Sequence, residues 1–319
     1  MVKFALLEAA PLAVQQPRAN GEAEETDETR EKLQIIGVKF LRLARRLGQT
    51  PRDNVVAQVL RRFELAERFR RGTGGRAGAF SSDLAKVAEQ LDTAGQEPLD
   101  FSCTIMVLGK TGVGKSATIN SIFDEIKFGT NAFQLETKKV QDVVGTIQGI
   151  KLRVIDTPGL SPSSSDRIQN KKILHSVKRF IKKFPPDIVL YLDRLDMPSR
   201  EWDEMPLLCT ITETFGPSIW FNTIVVLTHA ASALPEGPNG AAPSYDMFVA
   251  QRSHFVQKAI RQAAGSMRLV NPVSLVENHL KGKRNRDGLR VLPNGQAWKP
   301  HLLLQSFALK ILAEAKCTS

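Results

Sequence analysis

The run Gly109-Lys110-Thr111-Gly112-Val113-Gly114-Lys115-Ser116 fills the pattern G-x-x-x-x-G-K-[ST] completely. It follows a β-rich apolar run and precedes a helix-forming one, which is the setting in which such a loop wraps phosphate. Glycines let successive backbone N–H groups turn toward an anion, and the N-terminus of the following helix favours negative charge. Lys115 is placed to reach the β- and γ-phosphates and the Ser116 hydroxyl to ligate Mg²⁺. The expected nucleotide-binding stretch runs from Gly109 through Ala117. Forty residues after Ser116 comes Asp156-Thr157-Pro158-Gly159, at the end of an apolar run. Asp156 there can hold Mg²⁺ through water, and Gly159 can offer its amide to the γ-phosphate. Such a turn alone means little; after a phosphate loop, the two together predict a Mg²⁺-dependent nucleoside triphosphatase of the GTPase type.

Between the two motifs, Gly129–Val140 is the expected switch loop, and its threonine should touch both Mg²⁺ and γ-phosphate. Thr137 is preferred over Thr130 because it lies nearer the middle of the loop, with a merely solvated threonine as the alternative. Leu160 follows Gly159 where many small GTPases place a glutamine that orients water. Leucine cannot do so; either another group acts or intrinsic hydrolysis is slow. The base-reading element [NT]-K-x-D should follow the strand Thr223–Leu227, yet the chain has Thr228-His229-Ala230-Ala231, with no aspartate. Residue chemistry alone does not choose GTP over ATP. Glu277 and Asn278, after a strand near Leu269–Ser274, could reach a base or could simply be exposed.

Alternating segments must position these residues. Strands are predicted at Ser102–Leu108, Gln141–Ile147, Ile150–Ile155, Ile188–Leu192, Thr223–Leu227 and Leu269–Ser274. Helices are predicted at Lys115–Asp124, Arg167–Phe184, Pro206–Phe215, Tyr245–Ala264 and Leu302–Ala315. That alternation predicts an α/β fold, a doubly wound, mostly parallel sheet of the P-loop NTPase kind. Ahead of it, residues 1–30 are aperiodic and acidic-leaning and read as a disordered tail. Residues 31–98 form a helical extension: an apolar stripe from Leu33 to Leu47, a second helix opening at Thr50-Pro51, and a third from Ser82 to about Leu91. Residues 99–319 are then the GTPase domain.

The 319 residues carry 44 basic and 33 acidic side chains, a net charge of +11. The excess is local, since residues 31–76 hold twelve basic against four acidic side chains. Those cations mostly fall between apolar positions, which reads as a solvated helix face rather than a docking surface for an acidic partner. Nucleic-acid binding is not expected, because the segment lacks interleaved stacking aromatics. No apolar run approaches the ~18 residues of a membrane span. Three scattered cysteines and five histidines offer neither a disulfide framework nor zinc-ligand spacing. The N-terminus reads as neither a secretory signal nor a transit peptide, being interrupted by Glu8 and Pro11 and devoid of serine.

Taken together, the phosphate loop Leu108–Asn120, Asp156-Thr157-Pro158-Gly159, Asp193-Arg194-Leu195-Asp196, Thr228-His229-Ala230-Ala231 and Glu277-Asn278-His279 resemble the GTPase domain of the large Toc receptors. These are preprotein receptors of the chloroplast outer envelope, in the paraseptin branch that includes AIG1-type GTPases. The resemblance extends from about Lys32 to the C-terminus. It implies a GTP-hydrolysing switch at the cytosolic face of that envelope, or alternatively a nucleotide-dependent dimerising scaffold with negligible hydrolysis. It implies Mg²⁺, a homodimer or a heterodimer with the small Toc receptor GTPase, and chloroplast transit peptides as partners. It also implies His229 packing on guanine, Glu277 with Asn278 beside it reading the base, and Arg200 approaching the partner's nucleotide. The large receptors carry a long acidic region before this domain and a membrane-anchoring domain after it. About thirty residues precede the helical extension here and the chain stops at Ser319, so a truncated or soluble form is expected.

Overall fold

The computed structural model describes residues 22–71, 79–93, 99–128, 139–197, 201–232, 244–279 and 282–317. Six strands, β1 (Ser102–Gly109), β2 (Gln141–Ile147), β3 (Ile150–Asp156), β4 (Ile188–Arg194), β5 (Thr223–Thr228) and β6 (Val273–Leu275), form one sheet in the order β2-β3-β1-β4-β5-β6. β1 pairs in parallel with β3 and β4, and β5 in parallel with β4 and β6. β2 returns beside β3 through the two-residue turn Gln148-Gly149, where φ is +48° and +78°. That is the twist-matched hairpin turn joining antiparallel strands. β4 is buried from Ile188 to Asp193 and β5 throughout, as strands covered on both faces must be. The fold is the α/β, mostly parallel P-loop sheet the pattern predicts.

Helices α1 (Glu22–Arg46), α2 (Asn54–Arg71) and α3 (Ala79–Thr93) precede the sheet. α4 (Lys115–Phe123), α5 (Arg167–Ile181), α6 (Glu201–Phe215) and α7 (Tyr245–Ala264) alternate with its strands, and α8 (Trp298–Cys317) closes the chain. The chain divides into two compact units. One holds Ser102–Ile147 and Lys151–Leu302; the other holds α1–α3 with Gln148–Ile150 and Leu303–Ser319. In the helical unit Phe40, Leu43 and Phe63 are wholly buried, and Phe101 meets Phe307 edge-on at 5.2 Å. Among the described residues no helix is long and apolar enough to cross a membrane.

Several boundaries differ from the expectation. α1 starts at Glu22, so residues 22–30 of the expected disordered tail are helical. Glutamate and alanine propagate a helix well, and carboxylates suit its N-terminal turns. α2 starts at Asn54, because Thr50–Asp53 closes a separate turn in which Asp53 N–H donates to the Thr50 carbonyl at 3.0 Å. α6 runs back through Pro206 to Glu201, and α8 starts at Trp298 because Pro300 lies in its first turn, where no intrahelical N–H is needed. β6 is shorter and later than expected. Ahead of it, the Asn271 side chain donates to the Trp220 and Thr223 carbonyls at 2.7 and 2.9 Å, and the Asn271 carbonyl accepts from Gln257.

Candidate functional site

The parallel strands deliver their C-terminal ends to one edge of the sheet, where open α/β sheets place ligands. Gly109 ends β1 and leads into the phosphate loop; Asp156 ends β3, Asp193 and Arg194 end β4, Thr228 ends β5, and Glu277 follows β6. Gly114 sits at φ +88°, a left-handed conformation that glycine adopts without strain, and α4 begins at the next residue. A Cβ on Gly114 would lie 3.4 Å from Asn278 Nδ2 and 3.9 Å from His229 Cε1. The structure therefore brings the phosphate loop, His229 and Asn278 together.

Lys115 is 7% exposed, and its ammonium donates to the carbonyls of Lys110 at 2.9 Å and Gly109 at 3.3 Å. The Ser116 hydroxyl donates to Asp156 Oδ2 at 2.9 Å, and Asp156 is fully buried. Thr157 anchors the same turn by donating to the Val107 carbonyl at 2.6 Å. A hydroxyl and a carboxylate facing each other beside a helix N-terminus form a hard-oxygen donor set that fits Mg²⁺. Gly159 is pressed against Thr111; a Cβ there would lie 2.3 Å from Thr111 Oγ1. Leu160 is fully buried and continues the β1–β3 pairing into the phosphate loop. Its N–H donates to the Gly109 carbonyl at 3.2 Å, and its carbonyl accepts from Thr111 N–H at 3.0 Å. Thr137, the alternative Thr130 and Arg200 lie outside the described residues.

The base-side residues are built from main chain outward. Glu277, 7% exposed, accepts Ala231 N–H on Oε2 and His279 N–H on Oε1, both at 2.8 Å. Its carboxylate is held by two amides and keeps lone pairs on both oxygens. Asn278 donates from Nδ2 to Thr118 Oγ1 at 2.9 Å, tying this loop to α4. Tyr245 donates its hydroxyl to the Ala230 carbonyl at 2.8 Å; burial, with Asp246 and Glu277 nearby, pushes its pKa up to about 12. A cavity of about 690 Å³ is lined by His229, Ser232, Glu277, Asn278, Lys283 and Val291.

His229 takes φ +56°. The Thr228 hydroxyl lies 2.8 Å from the Val113 carbonyl, 3.2 Å from the Asp193 carbonyl and 3.0 Å from His229 Nδ1. With its single proton on the nearer carbonyl, the Thr228 hydroxyl can accept from His229 when Nδ1 carries the ring proton. Burial, then the Arg194 guanidinium, lowers the His229 pKa from its ordinary 6.5, against opposing pulls from Asp196 and Glu277. The imidazole is neutral at pH 7. Arg194 grips Asp196 through two hydrogen bonds of 2.7 and 2.9 Å, which holds that carboxyl below its usual range.

Sequence reasoning did not reach the ionic group beneath the phosphate loop. Asp193, 3% exposed, pairs with Arg252 from α7 and lies 3.6 Å from the Lys110 ammonium. One signal was present in the chain: Arg252 occupies the buried stripe that Val256 and Ile260 continue, a position where an arginine implies a buried partner.

Residues 103–281 match the AIG1 family. Among curated proteins, Translocase of chloroplast 132 and Translocase of chloroplast 120 of Arabidopsis thaliana are each 69% identical over alignments of 327 residues that cover 97% of this chain. The chain spans 27% and 30% of the length of those two relatives. Among solved structures, Toc33 of Arabidopsis thaliana in complex with Mg²⁺ and GMPPNP superimposes with a TM-score of 0.58 at 30% identity, covering 74% of this chain and 93% of that one. A dimerization-deficient mutant of Toc33 gives 0.59 at 31% identity, covering 73% and 92%.

Proposed function

The chain belongs to the AIG1 family, and we propose that it is a Mg²⁺-dependent GTPase that serves as a switch in a preprotein-import receptor at the chloroplast outer envelope. The observation that carries the proposal is the convergence of Lys115, Ser116 and Asp156 with the amide-braced Glu277 at one sheet edge. The relatives' names place them in chloroplast translocation, and Toc33 binds Mg²⁺ with a GTP analogue.

In this reading the amides of Gly109–Ala117 wrap the phosphates, and Lys115 supplies the counter-charge once it leaves its two carbonyls. Ser116 and Asp156 hold Mg²⁺, which when bound neutralises charge developing on the phosphate oxygens. Thr137 joins them from the switch loop, and the Gly159 amide meets the γ-phosphate. Glu277 accepts guanine N1–H and the exocyclic amine, an arrangement adenine cannot match. Asn278 fixes the loop to α4, and the neutral His229 ring packs on the base. Arg200 reaches the nucleotide of a second Toc-type GTPase across a dimer, and transit peptides are the cargo the receptor reads.

Buried Leu160 favours a second reading, a dimerising scaffold with negligible hydrolysis, because it cannot orient water. Single-turnover hydrolysis measured across protein concentration separates the two. A rate that climbs with dimer and falls at least tenfold in Arg200→Ala at saturating dimer supports the GTPase; hydrolysis that stays flat supports the scaffold. For the base, Glu277→Ala should erode GTP-over-ATP preference by about five- to 150-fold, as an unpaired buried polar group costs about 1–3 kcal/mol. Equal affinity of the unmodified chain for GTP and ATP overturns the assignment.

A further inference from the structure

The cation-rich segment that stands out in the sequence is ion-paired in part. In the helical unit, Arg30 pairs with Glu67, Arg42 with Asp92, and Arg45 with Glu89 and Asp92. α5 is different. From Arg167 through Lys183 the chain has seven lysines and arginines and no carboxylate. Arg167 and Lys171 share Glu213, and Lys178 donates to the Thr214 carbonyl. Lys172, Arg179 and Lys182 form no ion pair among the described residues, and Lys183 lies 5.2 Å from the Phe184 ring centre.

Lys172 and Arg179 share a face. At 100° per residue, Ile168, Lys172, His175 and Arg179 fall within one arc of about 60°, and Lys182 and Lys183 follow in the turn that ends α5. Leu174 and Val177 point the other way and are buried. All six residues are exposed, and Ile168 is 72% exposed at the head of the arc. From Ile168 to Arg179 the stripe is about 16 Å long at helical rise.

We propose that this face of α5 docks the chain onto the surface of an anionic lipid bilayer. Charge complementarity sets the sign of the partner, since every ionised group on the arc is a cation. The shape argues for a surface over a polypeptide. The arc is the convex side of a helix, whereas peptides are taken by grooves or sheet edges. The chemistry argues the same way. Three of the four cations are lysines, point charges suited to a diffuse negative field; paired recognition of carboxylates favours the arginine fork. Ile168 adds an apolar contact at headgroup level, as surface-lying basic helices do. The inference stands independently of nucleotide chemistry.

The test is co-sedimentation of the 319-residue chain with phosphatidylcholine vesicles and with vesicles containing phosphatidylglycerol. Binding is expected only to the anionic vesicles and should weaken as salt rises. Lys172→Gln, Arg179→Gln, Lys182→Gln and Lys183→Gln together should reduce partitioning tenfold or more, while replacing the three lysines with arginine should leave it within about twofold. Each single substitution should lower it by about fivefold, which keeps the proposal testable if the combined variant fails to fold. Partitioning of the folded combined variant equal to that of the unmodified chain would assign the effect to the helical unit and overturn the proposal. Capture by poly-glutamate without vesicle binding overturns it in favour of an acidic polypeptide partner.

Discussion

His229 combines a left-handed backbone, a half-buried ring and an Nδ1 contact to the Thr228 hydroxyl. The folded protein holds its pKa below the ordinary 6.5, so the unfolded chain takes up the proton more readily. Stability is therefore unaffected by this group above about pH 6.5 and falls as pH drops from there toward the folded value. His229→Gln should flatten that limb, so the variant loses less melting temperature between pH 7 and 5 than the unmodified chain, as thermal unfolding across that range would show. Parallel pH profiles for the two would place the acid sensitivity elsewhere. At this scale the phosphate loop was readable because Lys115 and Ser116 are neighbours in a fixed pattern and Asp156 ends a strand. The brace on Glu277 was not, since its amide partner Ala231 lies 46 residues earlier and main-chain donors leave no mark in side-chain identity. The pairing of Asp193 with Arg252, 59 residues apart, was hidden for the same reason.

At the scale of elements, α5 is fastened to the turn after Gly159 by a reciprocal clasp. Ser161 N–H donates to Asn170 Oδ1 at 2.9 Å, and Asn170 Nδ2 donates to the Ser161 carbonyl at 2.8 Å. Asn170 is 3% exposed, so Asn170→Ala leaves two main-chain groups without partners at a cost of about 1–3 kcal/mol. Asn170→Asp, which keeps the acceptor and loses the donor, should fall between. Denaturant unfolding checks the order, and an alanine variant as stable as the original would show that water replaces the clasp. Strand positions were legible because alternation and β-branched runs are local signals; β2 and α7 begin and end as expected. β6 starts later than expected because the Asn271 side chain donates to the Trp220 and Thr223 carbonyls and its own carbonyl accepts from Gln257. The starts of α6 and α8 differ from expectation because proline, a boundary signal in sequence, lies inside both helices.

Across the whole molecule, ligand binding and folding are linked. The proposed Mg²⁺ and nucleotide donors all lie in the unit spanning Ser102–Ile147 and Lys151–Leu302. At GTP near 100 times Kd the folded state gains about 2.7 kcal/mol, which for a unit of this size raises the melting temperature by about 5–10 °C. Chelating Mg²⁺ should remove most of that gain. Calorimetry with and without chelator measures it, and a nucleotide shift indifferent to chelation would detach Ser116 and Asp156 from the metal role. The architecture of this unit was legible in the alternation of its segments. That Leu303–Ser319 clusters with the N-terminal helices was not, because α8 carries the same apolar spacing whichever core it fills.

The two main-chain bonds between Leu160 and the phosphate loop have a further consequence. The amide protons of Leu160 and Thr111 are both sequestered in the same short ladder, one donating in each direction. Neither can exchange for deuterium without the turn after Gly159 parting from the loop, so the two should label at one common rate. That rate is a clock for the parting itself, readable by mass spectrometry on an unmodified chain, whichever nucleotide is bound.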